Sequence, residues 1–221
     1  MIGSATVTPQ LEAYYAKRAR EYERIYEKPE RQVELAWLRS RVPAIFDARR
    51  VLEVACGTGY WTQYIARTAK RVIALDVNDA MLEVAREKRF PGRRVEFLRA
   101  DAFSLAGVPE GCDAAFAGFW WSHVRRAELP RFVAGLARRL EPGSVVAILD
   151  NTYVEGSSTP VSRRDAEGNT YQVRKLLSGE THEVLKNFPT PGELADAVRP
   201  FAREAHLEDI TYYWLLVFRL K

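Results

Sequence analysis

The hydrophobic period of this chain changes twice. Across residues 10–42 the apolar positions recur at helical spacing. Tyr14, Tyr15, Tyr22, Ile25 and Tyr26 are separated by Lys, Arg and Glu, and Val33, Leu35, Trp37 and Leu38 follow a break at Pro29. Two helices are expected, the second ending at or just before Pro43. From residue 51 the pattern becomes short apolar runs joined by helical stretches. Strands are predicted over 51–55, 71–75, 95–99, 112–117 and 144–149. The joining helices are one over 60–68, one carrying Met81, Leu82, Val84 and Ala85 behind an Asn78 cap, and one carrying Leu129, Phe132, Val133, Leu136 and Leu140 up to Pro142-Gly143. Strands alternating with helices at this spacing give an α/β fold, a doubly wound, mostly parallel sheet covered on both faces. Right-handed crossovers bring the C-terminal strand ends to one rim, where ligands bind as the strand order reverses.

The rhythm breaks again over 151–190, which holds Gly156-Ser157-Ser158, Gly168-Asn169 and Ser178-Gly179. A hairpin insertion is expected there, with arms at 170–177 and 180–185. A helix over 191–201 and strands over 207–211 and 213–219 complete the chain. Length argues for one domain, 1–221, in four parts: a helical lid (1–44), a core (45–150), the insertion (151–190) and a closing helix with strands (191–221).

Composition changes the picture little. Apolar residues make up 47% and charged residues 28%, which is ordinary for a globular protein. No apolar run is long enough for a membrane span. Met1-Ile2-Gly3-Ser4 does not open a charged-then-apolar leader, so a cytoplasmic location is expected. Cys56 and Cys112 fall at opposite ends of neighbouring strands, a spacing that suits neither a disulfide nor a zinc site. The net charge of +4 is mild, and its basic pairs, Arg125-Arg126, Arg138-Arg139 and Arg163-Arg164, read as solvated faces rather than a nucleic-acid stripe.

The chemistry concentrates at residues 51–59, VLEVACGTG, where a strand enters a glycine turn and then a helix. Gly57 and Gly59 let backbone approach a ligand closely. A Walker phosphate loop needs a lysine here, and residues 51–66 contain no Lys or Arg. A dinucleotide fingerprint needs a third glycine where Thr62 stands, behind the bulky Trp61. A ligand without phosphates fits better. S-adenosylmethionine carries an ammonium, a sulfonium and a ribose diol. Glu53 can favour the positive charge, although bonds to neighbouring backbone would explain it equally. Asp76 offers two oxygens to ribose hydroxyls. Asp101 ends the third strand, where an adenine amino group fits, with Val77, Met81, Ala102 and Phe103 around the ring.

These residues, VLEVACGTG, the Asp76 strand end, the Asp101-Ala102 pair and the turn at 140–143, LEPG, resemble the class I S-adenosylmethionine-dependent methyltransferases. The resemblance covers 45–150 well and the rest loosely. It implies a seven-stranded Rossmann-like sheet whose last strand is antiparallel. It also implies that Gly57 and the backbone around Ala55 meet the methionine part, Asp76 the ribose and Asp101 the adenine edge. Demethylation of the cofactor would yield S-adenosylhomocysteine.

The acceptor is less legible. His123, beyond the fourth strand, is the candidate catalytic base, with a structural histidine as the alternative. Phe119, Trp120 and Trp121 can form an aromatic wall around the cation. Tyr14, Tyr15, Arg18 and Tyr22 belong to the segment that closes over the cofactor in similar enzymes, and we assign Tyr14 and Tyr22, with Trp61 after the glycine turn, to the cofactor site. The insertion is expected to shape the acceptor pocket with Tyr153, Arg163, Arg164, Tyr171, Arg174 and His182, groups suited to a small aromatic or anionic molecule. Asp150 and Asn151 lack the companions a metal needs, so no metal is expected. O- or N-methylation of a small molecule is favoured over C-methylation. A nucleic-acid methyltransferase and a non-catalytic binding module stay open as alternatives.

Overall fold

In the computed structural model, which describes residues 9–90 and 94–221, the sheet has the order β3-β2-β1-β4-β5-β10-β9. The strands β1 (Arg50–Val54), β2 (Arg71–Asp76), β3 (Val95–Arg99), β4 (Ala114–Gly118) and β5 (Val145–Asn151) are parallel. The strand β10 (Tyr213–Leu220) runs antiparallel between β5 and β9 (Ala202–Asp209). The chain winds outward from β1 to β3 and then returns to β4, so β1 and β4 flank the crevice where strand order reverses. The sequence predicts this sheet, and its five parallel strands fall within two residues of their expected positions.

Two apolar layers cover the faces. Leu52, Val54, Ile73 and Leu75 pack with Phe132 and Leu136 of α5 (Leu129–Arg139) and with Leu194 of α6 (Pro191–Val198). Val51, Val72, Ala74 and Phe116 pack on the other side. There they meet Leu35 and Leu38 of α2 (Gln32–Ile45), Ile65 of α3 (Thr62–Ile65) and Leu82 of α4 (Asp79–Glu87). Alternation of these residues along β1 and β2 is what gives a sheet two buried faces. Asn78 caps α4 by accepting a hydrogen bond from the amide of Ala80 at 3.1 Å. Cys56 and Cys112 are both buried and free. Among the described residues no helix is long and apolar enough to cross a membrane. Residues 1–4, on which the expectation of no leader rests, lie outside the described residues.

Local structure departs from expectation in several places. The N-terminal segment is α1 (Pro9–Arg18), followed by 3-10 turns at Ala19–Tyr26 and Pro29–Arg31. Pro43 does not end α2, which runs on to Ile45, because proline loses only one helical bond there and the next turn is anchored by buried Phe46. The helix expected over 60–68 is regular only at Thr62–Ile65, flanked by turns. β9 begins five residues earlier than expected, drawn into register by β10 even though its own residues are mostly exposed. The insertion forms β7 (Thr170–Lys175) and β8 (Thr181–Leu185), with the short β6 (Arg163–Arg164) added at the edge.

The insertion is tied to the core by buried polar groups. The side chain of Asn187 donates to the carbonyl of Val124 at 3.0 Å and accepts from the amide of Thr170 at 2.9 Å. Lys186 donates to Ser122 and to the carboxylate of Asp150. α1 in turn packs Leu11 and Tyr14 against Leu176 and Val184 of the insertion. The N-terminal segment and the insertion thus meet above the rim of the sheet.

Candidate active site

The glycine turn after β1 is shaped by Asp76. The amide of Gly57 donates to one carboxylate oxygen at 2.9 Å, and the amide of Asn78 donates to the other at 2.9 Å. Gly57 has φ +55, in the left-handed region, and Gly59 has φ +73 with Ala85 only 3.2 Å from where a β-carbon would stand. Both positions therefore favour glycine. Two non-glycine residues share this conformation on the same rim, Ala55 (φ 53) and Phe119 (φ 59). Such backbone costs about 1–3 kcal/mol per residue and concentrates at functional sites.

Above this turn lies a cleft that is partly open to solvent. Of the residues expected to bind the cofactor, Tyr22, Ala55, Gly57, Asp76, Val77, Met81, Ala102 and Phe119 line it. Six others lie around it. Glu53 is buried beneath the turn. Gly59 backs onto α4. Trp61 is buried among Tyr26, Tyr60 and Phe116. Tyr14 lines a neighbouring cavity. Asp101 is flanked by two lining residues, Ala100 and Ala102. Phe103 stacks edge-on with Phe132 and Trp120. Sequence reasoning did not place Leu11, Glu12 and Asn78 in the cofactor cleft, whereas Trp120, expected in the aromatic wall, lines it. α1 brings the first two there, anchored where the side chain of Asn78 donates to the carbonyl of Glu12 at 2.8 Å.

The charge of this cleft is distinctive. Among the described residues its formally charged lining is Glu12 and Asp76, with no Lys or Arg. Burial lifts the Asp76 carboxyl to about 6, opposed by the amides of Asn78 and Gly57, so it is ionised at neutral pH. Burial lifts Glu53 further, to about 8, with one oxygen lacking a partner. Oδ2 of Asp101 is also buried without a partner, while Oδ1 accepts from the amides of Phe103 and Ser104. An acidic, base-free cleft with an unsatisfied carboxylate oxygen beside it fits a cationic adenosyl ligand without phosphates.

A second cavity adjoins the first and has the opposite charge. Arg18, Arg24, Lys28, Arg31, Arg174, Lys175 and Lys186 line it, and among the described residues no Asp or Glu does. Tyr15, Tyr22, Phe119 and His123 line both cavities and form the wall between them. His123 is buried and held at both nitrogens. Nδ1 lies 2.6 Å from the carbonyl of Leu185, and Nε2 lies 2.7 Å from the hydroxyl of Tyr15. A carbonyl only accepts, so Nδ1 carries the proton and Nε2 accepts from Tyr15. Burial, reinforced by the charge of Lys186, lowers His123 to about 3 and keeps the ring neutral.

Of the insertion residues expected at an acceptor pocket, Arg174 alone lines this cavity. Arg163 pairs with Glu183, Arg164 is exposed, and Tyr171 bonds Asp165. Tyr153 packs on Phe188, and His182 packs on Tyr14 beside Glu180. Asp150 and Asn151 serve as partners of cations. Asp150, fully buried, accepts from Lys186 at 2.9 Å and from the amide of Ser122 at 2.9 Å. Burial would raise its carboxyl, but the Lys186 ammonium holds it below the usual range. Asn151 accepts from Arg31 at 3.1 Å. Lys28, Arg31 and Lys186 were missed in the sequence. Each stands alone among residues of another character, and only the fold gathers them.

Comparison with known proteins agrees with this geometry. A protein-family model described as a methyltransferase domain matches residues 51–143. The ubiquinone/menaquinone biosynthesis C-methyltransferase UbiE of Methylobacterium nodulans is 31% identical over 196 residues, covering 77% of this chain and 74% of the relative. A trans-aconitate 2-methyltransferase of Rhodopseudomonas palustris is 31% identical over 174 residues, covering 77% of this chain and 64% of the relative, just under two thirds of its length. Among solved structures, a DhpI–SAH complex superposes with a TM-score of 0.79 at 26% identity, over 99% of this chain and 98% of DhpI. A DhpI–SAM–HEP complex superposes with the same TM-score at 25% identity, over 97% and 98%. With the glycine turn, the strand-end carboxylates and the strand order already in place, these likenesses show that the chain belongs to the class I S-adenosylmethionine-dependent methyltransferases.

Proposed function

We propose that this chain transfers a methyl group from S-adenosylmethionine to an oxygen of a small anionic acceptor held in the basic cavity. The observation that carries the reading is the charge of that cavity: seven Lys and Arg side chains line it, with no Asp or Glu among the described residues. Such a cavity focuses potential and attracts anions. The relatives named for trans-aconitate and for quinone biosynthesis act, by their names, on small molecules.

In this reading Asp76 holds the ribose, Asp101 the adenine amino group, and Ala55 and Gly57 the methionine part. The cofactor supplies an electrophilic methyl group. An anionic oxygen already carries the lone pair that attacks it, so no base has to remove a proton. The protein's contribution is then position and charge. Among the described residues Arg18 and Arg174 bond only neutral groups, the hydroxyl of Tyr14 at 2.6 Å and the amide oxygen of Gln172 at 3.0 Å. Both guanidinium groups therefore remain available to pair with the acceptor. His123, neutral and pinned to Leu185, orients Tyr15 on the wall between the cavities and so acts as a positioning residue. Its role as a base would require Tyr15 to release Nε2.

The test is to measure S-adenosylhomocysteine production with matched panels of carboxylates, phosphate esters, neutral phenols and amines. Turnover confined to anions is expected. Arg174→Gln should lower kcat/KM about 30-fold, corresponding to about 2 kcal/mol for a lost charged hydrogen bond, while leaving cofactor affinity unchanged. Turnover of neutral acceptors alone, indifferent to Arg174→Gln, would overturn the reading.

A further inference from the structure

Arg31 is the most buried arginine of the basic cavity, 5% exposed, yet none of its hydrogen bonds goes to a carboxylate. Nε and Nη2 donate to the hydroxyl of Ser157 at 3.1 and 2.9 Å, and Nη1 donates to the amide oxygen of Asn151. The guanidinium stacks over the rings of Tyr212 and Tyr213, at 5.1 and 5.6 Å. Glu30 is exposed, accepts a hydrogen bond from the hydroxyl of Ser157 and lies 4.0 Å from Nζ of Lys28. Lys28 lies alongside, donating to the carbonyl of Ser157. A buried cation is ordinarily paired, because burial strips it of water. Elsewhere in this cavity that rule holds, since the buried Lys186 has Asp150. Three of the five guanidinium N–H groups of Arg31 are used by these bonds, which leaves two for a ligand.

Arg18 and Arg174, which form no ion pair among the described residues, stand elsewhere. Arg18 lies over Tyr14 and Tyr22 on the N-terminal side. Arg174 comes from β7, and its charge acts on Tyr15 and His123 of the shared wall. Arg31 instead sits over the ends of β5 and β10, held by Asn151 and stacked on Tyr213. β5 and β10 are the first and second strands beyond β4, the strand that leads to Phe119 and His123. That offset corresponds to about 5–10 Å at the usual strand spacing.

We propose that Arg31 and Lys28 form a second anion subsite, and that the acceptor carries two anionic groups. One lies against Arg18 and Arg174 beside the shared wall, where the methyl group arrives. The other is anchored by Arg31 and Lys28 over β5 and β10. The acceptor class is a short, two-headed dianion, such as a dicarboxylate. This inference rests on the anionic-acceptor reading above and adds the second head.

Calorimetric titration of the S-adenosylhomocysteine-bound protein with acetate, inorganic phosphate and the dicarboxylates from malonate to adipate tests it. At least one dicarboxylate is expected to bind ten-fold or more tightly than acetate and phosphate. Phosphate controls for charge, because it puts a double charge on one head. Arg31→Gln should erase the dicarboxylate advantage while leaving acetate and phosphate within two-fold of wild type. Arg174→Gln should weaken all of them. If dicarboxylates bind no better than phosphate, or Arg31→Gln weakens all the anions equally, the second subsite is overturned and the anionic-acceptor reading survives. If no anion binds the folded wild type, both fall. Should Arg31→Gln fail to fold, Lys28→Gln takes its place, and unchanged dicarboxylate selectivity in that variant overturns the subsite.

Discussion

The two cavities share Tyr15, Tyr22, Phe119 and His123, yet they are built from opposite materials. The first is acidic and built around the ends of β1, β2 and β4, with Leu11, Glu12 and Tyr15 of α1 completing its lining. Its specificity comes from strand geometry. The second is basic and lined by long side chains from the N-terminal segment, the loop after β5 and the insertion. Its specificity comes from charges brought in by peripheral segments. Tyr15, Tyr22, Phe119 and His123 stand between an acidic cavity and a basic one, the arrangement that the proposed methyl transfer from a sulfonium to an anion would use. The difference teaches where change is tolerated. The acidic side is tied to the sheet, whereas the cations of the basic side other than Lys186 stand on peripheral segments, as expected when function sits in segments carried by a constant scaffold.

The sharpest way to break this contrast is at Lys186, the one cation of the basic cavity whose carboxylate partner is fully buried. Lys186→Met should destabilise the protein by about 3–5 kcal/mol, because Asp150 is left as an uncompensated buried charge. Urea unfolding checks this, and adding Asp150→Asn should restore most of the loss. The pH dependence carries a sign. In the wild type the lowered Asp150 contributes stability above the ordinary carboxylate range, and that contribution is lost as pH falls through its folded value. In Lys186→Met the deficit should shrink as pH falls, since Asp150 can then take up a proton. A deficit below about 1 kcal/mol, the range of a surface pair, would mean the two cavities are less sealed from water than the contacts indicate.

On the acidic side the corresponding change is Asp76→Asn. Affinity for S-adenosylhomocysteine should fall about 100-fold, near 3 kcal/mol for two charge-assisted hydrogen bonds, while anion binding in the basic cavity is retained. The wild type should show the same dependence through pH. With Asp76 at about 6, cofactor affinity should be level above that pH and decline below it, as the carboxylate gains a proton. Asp76→Asn should flatten the decline. Equal loss of cofactor and anion binding in Asp76→Asn would show that the two sites are not independent and that the turn supports both.

Legibility in the sequence followed the same divide. The first three strands, the glycine turn, Asp76, Val77, Met81 and Ala102 lie within about fifty consecutive residues, and their chemistry follows from local order: a strand end, a turn, a cap. The basic cavity gathers Arg18, Lys28 and Arg31 of the N-terminal segment with Arg174 and Lys186 of the insertion, cations that in the sequence read as parts of solvated surfaces. Periodicity identified the insertion as a hairpin but not which of its faces turns inward. Arg174 was therefore named together with Arg163, which is engaged by Glu183 outside the cavity. Lys186 could have been suspected from Asp150. A carboxylate ending a buried strand needs a cation, and the short polar segment closing the insertion is where one could enter.

The smallest expected effect decides what the shared wall does. Tyr15→Phe removes the hydroxyl 2.7 Å from Nε2 of His123 and leaves a buried acceptor unsatisfied, worth about 1–2 kcal/mol. If His123 positions Tyr15, the variant should lose roughly ten-fold in kcat, by the same energy scale, with little change in cofactor affinity. Its pH–rate profile should stay flat between pH 6 and 8, because a ring held near 3 by burial and by Lys186 does not titrate there. If His123 is instead a base kept in reserve, the same substitution frees Nε2 from its donor. The rate with a protonated acceptor should then rise and follow a single titration. The two accounts predict opposite signs for one substitution, since the hydrogen bond that holds the wall is also the bond that occupies the only ring nitrogen able to accept a proton.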